Sequence, residues 1–258
     1  MSPQSRFKLL EIETEKSAET RGSSSQRLEE RDAGYWMRTA DQERRNGYYE
    51  NALRNYSRAL ELDRAMVLGW VGQVQMLVLL GEHPEADLWA RKALELFKNH
   101  PGLFSGRAQA LCRLRDLKQA QALSDASLAQ QGQTAYCWMV RGEIMLVRRD
   151  PVEQYCFDKA LQTDGDWLVN LEIAGIYLHY SHPAKAISHC RQAVEKQPQH
   201  AHCWYVQATV ELKLSLSRPA ENSLRRCLEL APNHIDANRL LSEMRSTRGF
   251  FARIFRRS

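Results

Sequence analysis

One short segment returns along this chain at a nearly fixed interval, and this repetition constrains the fold more than any other feature. The first copy, NGYYENALRNYSRALELD, occupies residues 46–63, and related copies follow as LGEHPEADLWARKALELF, LRDLKQAQALSDASLAQQ, RRDPVEQYCFDKALQTD, YSHPAKAISHCRQAVEKQP and LSLSRPAENSLRRCLELAP. A constant period in this range is typical of arrays in which one small structural unit is stacked repeatedly.

The copies share small residues at fixed positions. The first small position is taken by Ala52, Ala86, Ala120, Ala186 and Ala220, and the second by Ala59, Ala93, Ser127, Ala160, Ala193 and Cys227. Before most copies lies a predicted helix with an aromatic residue near its start: Trp36, Trp70, Phe104, Trp138 and Trp204. Small residues let two helices approach closely, and the aromatic side chains fill the space between hairpins. The low content of 13 Gly and 8 Pro also favours helices.

This pattern resembles the tetratricopeptide repeat, W-x2-L-G-x2-Y…A-x3-F…P, which has a period of 34 residues. The resemblance covers about 33–234 as six units: 33–66, 67–100, 101–134, 135–166, 167–200 and 201–234. It implies an all-α fold, a right-handed α-solenoid of about six helix-turn-helix units. We expect 1–32 to be a polar, disordered segment, 235–248 to form a helix that caps the array, and 249–258 to form a basic amphipathic tail.

Three departures from the pattern fall in the middle of the array. The fourth unit is short and has Glu153 where an alanine is expected, so its internal turn should be altered. The fifth unit has Asn170 in place of the aromatic residue, and the third has Ser124 and Ser127 at packing positions. We expect the array to be less regular there.

The resemblance implies that the first helix of each unit lines a concave surface, where a partner would bind. The residues expected in this groove are Met37, Asp41, Arg44, Leu68, Val71, Gln75, Val78, Tyr136, Met139, Leu168, Leu171, Leu178 and Tyr205. This largely apolar set suits a helix or an extended peptide of another protein. The alternative is that neighbouring helices or the ends of the chain cover several of these positions.

The expected function is therefore that of a non-enzymatic scaffold or adaptor. Relatives that bind the tails of heat-shock chaperones hold a terminal carboxylate with a clamp of Lys, Asn and Arg. Here the corresponding positions are Met37, Asp41, Val71 and Gln75, so we expect no such clamp. A further hypothesis is that Phe7, Leu10 and Ile12 of the N-terminal segment occupy the groove until a partner displaces them.

The tail RGFFARIFRRS supports an alternative function, that of a peripheral membrane factor in secretion or envelope assembly. In a helix, one face would carry the apolar residues Phe250, Phe251, Ile254 and Phe255, and the other the basic residues Arg253, Arg256 and Arg257. Such an end can bind an anionic membrane weakly or contact an acidic partner. A third explanation is that the phenylalanines cover the exposed end of the array.

Other classes of function lack a sequence signal. No phosphate-binding loop, nucleophile elbow or paired metal-ligand motif occurs, so we expect no catalytic residue, cofactor or metal site. The net charge of +5 is too small to indicate nucleic-acid binding by itself. The six cysteines are scattered, and no apolar run is long enough to span a membrane. These observations predict a cytoplasmic protein, with a position at the inner face of a membrane as the alternative.

Overall fold

A computed structural model describes residues 31–246 in full and the backbone onward to residue 255, and within this part of the chain there are thirteen α-helices and no β-strand. The predicted all-α solenoid is confirmed: twelve helices form six consecutive hairpins, and one further helix follows them. The helices are α1 (Ala33–Arg45), α2 (Tyr49–Leu62), α3 (Val67–Leu79), α4 (His83–Leu96), α5 (Pro101–Arg113), α6 (Leu117–Leu128), α7 (Ala135–Arg148), α8 (Glu153–Thr163), α9 (Trp167–His179), α10 (Pro183–Lys196), α11 (Ala201–Lys213), α12 (Ser217–Leu230) and α13 (Ile235–Phe255).

The turn inside each hairpin contains one residue in the left-handed conformation, shortly after the end of the first helix. The residues in this position are Gly47, Gly81, Arg115, Arg149, Ser181 and Ser215, all with a positive φ. The amide of the following residue donates to a carbonyl five residues earlier, as from Tyr48 to Glu43 (2.9 Å) and from Asp150 to Met145 (2.9 Å). This is the hydrogen-bond pattern of a Schellman helix end, which satisfies the last carbonyls of the first helix. The first helices of all six hairpins therefore end with the same geometry.

The small residues are located where the helices approach most closely. All five first-position alanines are fully buried: Ala52, Ala86, Ala120, Ala186 and Ala220. In α3 and α7, glycine permits a still closer approach. A Cβ on Gly72 would lie 2.5 Å from the Tyr56 ring, and one on Gly142 would lie 2.5 Å from the Phe157 ring. The repeated small residues thus act as contact points between helices.

The expected irregularity appears in the turn of the fourth hairpin. Helix α8 begins only at Glu153, four residues after the left-handed Arg149, whereas the other second helices begin two residues after theirs. In the fifth hairpin, Asn170 is fully buried, and neither its Oδ1 nor its Nδ2 has a hydrogen-bond partner. An amide has therefore replaced an aromatic ring without new polar contacts.

The final helix covers the last hairpin. Ala237 and Leu241 of α13 pack into a cluster with Ala208, Leu224 and Cys227 of the sixth hairpin. The helix runs without a break from Ile235 to Phe255, so the boundary predicted between a cap ending at residue 248 and a separate tail is not marked in the backbone. Residues 1–30 lie outside the described part of the chain, so the predicted N-terminal segment and the groove contact of Phe7, Leu10 and Ile12 stay predictions.

Candidate functional site

The first helices present one residue per repeat on the inner side of the array, in a common register. These residues are Asp41, Gln75, Gln109, Glu143, Gly175 and Thr209. Three of them, Gln75, Gln109 and Glu143, are at most 4% exposed, while Gly175 is exposed and has no atom within 4 Å of the position of a Cβ. At this position the second, third and fourth repeats are therefore covered, while the first and fifth are exposed.

Glu143 is at the centre of a buried hydrogen-bond network. Its carboxylate accepts from Arg113 Nε (2.8 Å), Gln109 Nε2 (2.6 Å) and the Tyr180 hydroxyl (2.9 Å). The Tyr136 hydroxyl donates in turn to Gln109 Oε1 (2.7 Å). Burial opposes ionisation of Glu143, but Arg113 and these hydrogen bonds outweigh it, so that the pKa of Glu143 is lowered. The network thus stabilises a carboxylate inside the array.

The first repeat contacts the fifth across the interior of the array. Arg44 of α1 forms an ion pair with Glu172 of α9, with Nε 2.9 Å from Oε1. Gln75 Nε2 donates to the same oxygen at 3.3 Å. Burial disfavours the charged guanidinium, yet the adjacent Glu172 raises the pKa of Arg44. A second ion pair joins Arg45 Nη2 to Asp166 Oδ2 at 2.6 Å.

Asp166 has two partners, the Arg45 guanidinium and a backbone amide of α9, and the second of these fixes its position. It is the N-cap of α9 and accepts from the amide of Leu168 at 2.8 Å, as expected for an aspartate just before a helix. Burial tends to raise the pKa of Asp166, but the hydrogen bonds from Arg45 and Leu168 reverse this effect and lower it. The Arg45 guanidinium also lies 5.4 Å from the centre of the Trp167 ring.

The first repeat also contacts the sixth. The His202 imidazole lies against Gly47, and the Tyr49 ring meets it edge-on with centroids 6.4 Å apart. The Tyr205 ring stacks on His202 with centroids 6.1 Å apart. Burial lowers the pKa of His202 to about 3, with a smaller contribution from His200 and His234. We call these contacts of Arg44, Arg45, Gly47 and Tyr49 with Asp166, Glu172 and His202 the closing interface.

The closing interface lies on the side of the array where the groove is predicted, so the exposure of the predicted residues is informative. Among the thirteen residues expected in the groove, five are buried: Gln75, Val78, Tyr136, Met139 and Leu171. Another six are partly buried: Met37, Arg44, Val71, Leu168, Leu178 and Tyr205. Only Asp41 and Leu68 are exposed. This burial agrees with the alternative drawn from the sequence, that neighbouring helices cover several of these positions, and partner binding at the thirteen residues stays a prediction.

The remaining predicted residues lie near the C-terminus. Phe250, Phe251, Arg253, Ile254 and Phe255 belong to the backbone-only part of α13, and Arg256 and Arg257 lie outside the described residues. Their proposed membrane contact stays a prediction. Within the part of the chain that the structure describes, no group of three or more His, Cys, Asp and Glu side chains is arranged to hold a metal ion. No helix in the same range has the length and apolar character needed to cross a membrane.

Several residues of the site were not identified from the sequence. Glu172 and Asp166 lie beside the expected groove positions of α9, and their partners are more than a hundred residues away along the chain. Arg113 and Tyr180, at the ends of first helices, were not identified either. One pattern in the sequence pointed to this site. A polar residue recurs every 34 residues at the same position of the first helices, as Asp41, Gln75, Gln109 and Glu143.

A comparison with solved structures found several similar repeat proteins. A tetratricopeptide repeat protein from Parabacteroides merdae is 16% identical to this chain with a TM-score of 0.50, and the match covers 84% of this chain and 86% of that one. A chain of the APC/C hetero-tetramer Cut9-Hcn1 is 18% identical with a TM-score of 0.49, and this protein spans 84% of its own length but 44% of that chain. YrrB, a TPR protein with an unusual peptide-binding site, is 16% identical with a TM-score of 0.40, covering 72% of this chain and 96% of its own.

No protein-family profile and no curated protein matches the sequence. The identities to solved structures are low, so they bear on the fold alone. The 34-residue period, the six hairpins with a shared left-handed turn and the buried small residues agree with this structural likeness. The fold of this chain is thus an α-solenoid like that of the tetratricopeptide repeat protein from Parabacteroides merdae.

Proposed function

We propose that this protein is a non-enzymatic scaffold that binds a helix or an extended peptide of another protein on the inner side of its array. The observation that carries the proposal is the polar register of Gln75, Gln109 and Glu143 in a buried interior. A buried ion pair stabilises a protein no better than well-packed apolar residues do. Carboxylate and amide groups at one position per repeat therefore suit a surface that is exposed to solvent, or bound by a ligand, in a second conformation of the array.

The closing interface is suited to opening. Arg45 and Asp166 keep 36% and 28% of their side chains exposed, so water, salt and a competing ligand can reach this ion pair. Contacts between successive repeats, by comparison, bury alanine, valine and leucine side chains. Opening would separate the first repeat from the fifth and sixth and would leave these apolar contacts in place. A partner would then replace the closing interface with contacts of its own.

Gly175 offers a precise test, because it lies on the inner side, is exposed and has open space around its Cβ position. We expect Gly175→Trp to fold and to obstruct the inner side. Gly165→Trp is the matched control, since Gly165 is also exposed and has equally open surroundings, but lies in the loop before α9. Partners would be identified by quantitative mass spectrometry after affinity purification from the native host.

The expected result is that Gly175→Trp loses at least one partner that the wild type and Gly165→Trp retain. A photo-crosslinking amino acid at position 175, but not at position 165, should link to the same partner. If both tryptophan variants keep every partner of the wild type, binding on the inner side is wrong.

A second candidate function is weak attachment to an anionic membrane through the C-terminal tail. The observation that favours it is the backbone of α13, which is helical through Phe255, since the tail sequence is amphipathic only as a helix. Flotation with anionic vesicles at low salt should carry the full chain but not a variant that lacks residues 249–258. Equal behaviour of the two proteins would remove this candidate.

A further inference from the structure

A cleft opens at the edge of the array formed by the turns inside the third, fourth and fifth hairpins. Its volume is about 580 Å³. Three basic side chains line it, Arg115, Arg149 and Lys185, and each comes from a different hairpin. None of its three basic residues belongs to the groove predicted from the sequence, whereas Leu146 lies at an inward-facing position of the fourth unit. The cleft is therefore a feature that the repeat pattern alone does not reveal.

The two arginines occupy strained backbone positions. Arg115 (φ 70°) and Arg149 (φ 60°) are the left-handed residues of their turns, at the position that Gly47 and Gly81 take in the first two hairpins. A side chain in this conformation is less stable than glycine because its Cβ approaches the backbone. Strained residues often occur where a side chain has a function. Here the use of arginine instead of glycine at two left-handed positions places two guanidinium groups at one cleft.

The cleft has more positive than negative charge. The Lys185 ammonium pairs with Glu153, which is the one acidic side chain of the lining. The Arg115 guanidinium lies 5.9 Å from the centre of the Tyr180 ring, and within the described part of the chain it makes no ion pair. Arg149 is exposed, and among the described residues it makes no ion pair. Two guanidinium groups are thus available to a carboxylate, for which their fork geometry is well suited.

Apart from the imidazole of His182, the rest of the lining is apolar or aromatic. Leu146, Val147 and Pro151 contribute to the wall of the cleft, and the Tyr180 ring lies under Arg115. A ligand that used the whole cleft would combine carboxylates with apolar side chains. Free inorganic anions would leave the apolar wall unused, and a nucleic-acid backbone offers phosphates without apolar side chains.

We propose that the cleft of Arg115, Arg149 and Lys185 is a second binding site, which takes an acidic segment of a partner protein with leucine-like residues between its carboxylates. Carboxylates of the segment pair with Arg115 and Arg149, and its apolar side chains contact Leu146 and Val147. This site does not depend on the inner-side proposal, because it stays accessible while the closing interface is intact.

The test measures the fluorescence anisotropy of a labelled ten-residue peptide of alternating leucine and glutamate with the full-length protein. The double variant Arg115→Gly and Arg149→Gly removes both charges and gives each turn the residue that its backbone favours, so it should melt at or above the wild-type temperature. We expect it to bind the peptide at least tenfold more weakly. Wild-type affinity should fall as salt increases.

Three controls make the result specific. Ser215→Gly changes the same turn position in the sixth hairpin without changing charge, and should bind as the wild type does. The double variant Arg191→Gln and Arg218→Gln removes two exposed arginines outside the cleft, and should lose less than twofold. Gly175→Trp should also keep peptide binding, which separates this site from the inner side.

Three outcomes would overturn the proposal. The first is an equal loss of affinity in the Arg191 and Arg218 double variant, which would indicate only long-range attraction. The second is unchanged binding of a peptide with glutamine in place of glutamate. The third is displacement of the labelled peptide by a ten-nucleotide oligouridylate at the same concentrations at which the unlabelled peptide displaces it. This result would indicate a surface that binds anions in general.

Discussion

The His202 imidazole lies so close to the backbone of Gly47 that a Cβ on that glycine would be 2.2 Å from its Cε1. The two residues are 155 positions apart, in the sixth and first repeats. Gly47 also has a φ of 79°, which favours glycine. One glycine therefore meets two requirements, the turn of its own hairpin and the closing interface.

This double role predicts a large effect of Gly47→Ala. Alanine in the left-handed conformation costs about 1–2 kcal/mol, and its methyl group would also push against His202. We expect a greater loss of unfolding free energy than the backbone alone explains, together with a larger radius of gyration. Urea denaturation and small-angle X-ray scattering measure the two quantities.

The matched control is Gly81→Ala. Gly81 has the same turn position with a φ of 84°, but no atom lies within 4 Å of its Cβ position. This variant should show the backbone effect alone and keep the wild-type radius of gyration. If the two alanine variants lose equal stability and keep equal size, the contact with His202 does not hold the array closed.

A second prediction concerns the ion pair between Arg44 and Glu172. Glu172→Gln removes the charge that compensates Arg44, whose side chain is only 22% exposed, so the arginine would stay partly buried without an anionic partner. We expect a loss of about 1–3 kcal/mol in the free energy of unfolding. The exposed pair of Glu50 and Arg54 is the control, because Glu50→Gln should change stability by less than about 0.5 kcal/mol.

The sequence predicts the repeated parts of this structure much better than the closing interface. Helices and turns depend on residues a few positions apart, so the small residues at Ala52 and Ala86 and the turns at Gly47 and Gly81 follow from local pattern. The contact of Arg44 with Glu172 depends instead on small rotations that accumulate over four repeats. The shortened fourth repeat alters the total rotation between the first and fifth repeats, and no local sequence rule predicts the size of that change.

A third prediction concerns acid. The pKa of His202 is lowered from 6.5 to about 3 by burial. Below pH 6.5 the unfolded chain binds a proton that folded His202 does not, so its contribution to stability is complete above pH 6.5 and is lost as the pH falls toward 3. At about 1.4 kcal/mol per pH unit, the loss from this residue between pH 6.5 and pH 5 is about 2 kcal/mol.

The measurement is the free energy of unfolding in urea at a series of pH values. Burial also lowers the pKa of His100 and His189, so the wild type should lose still more stability in acid. His202→Asn cannot titrate, and its stability should fall less steeply below pH 6.5, even if the variant is less stable at pH 7. A slope identical to that of the wild type would show that His202 is protonated without penalty.

A fourth prediction concerns Asn170, which is fully buried and has no hydrogen-bond partner for either polar atom of its amide. Leucine has a similar size and no polar atom, and the corresponding residues of other repeats are aromatic, as in Trp138 and Trp204. Removing two unsatisfied polar atoms should therefore stabilise the fold. We expect Asn170→Leu to raise the free energy of unfolding by about 1–2 kcal/mol in urea denaturation.

The comparison with Asn238 separates this cause from general hydrophobicity. Asn238 Nδ2 donates to the carbonyl oxygens of Pro232 (2.9 Å) and His234 (3.1 Å), so Asn238→Leu breaks hydrogen bonds and should lower stability. Opposite signs for the two substitutions would show that the missing partners of Asn170 cause its penalty. A loss of stability in Asn170→Leu would mean instead that the amide is satisfied in solution, by a bound water or by a small rearrangement of α9.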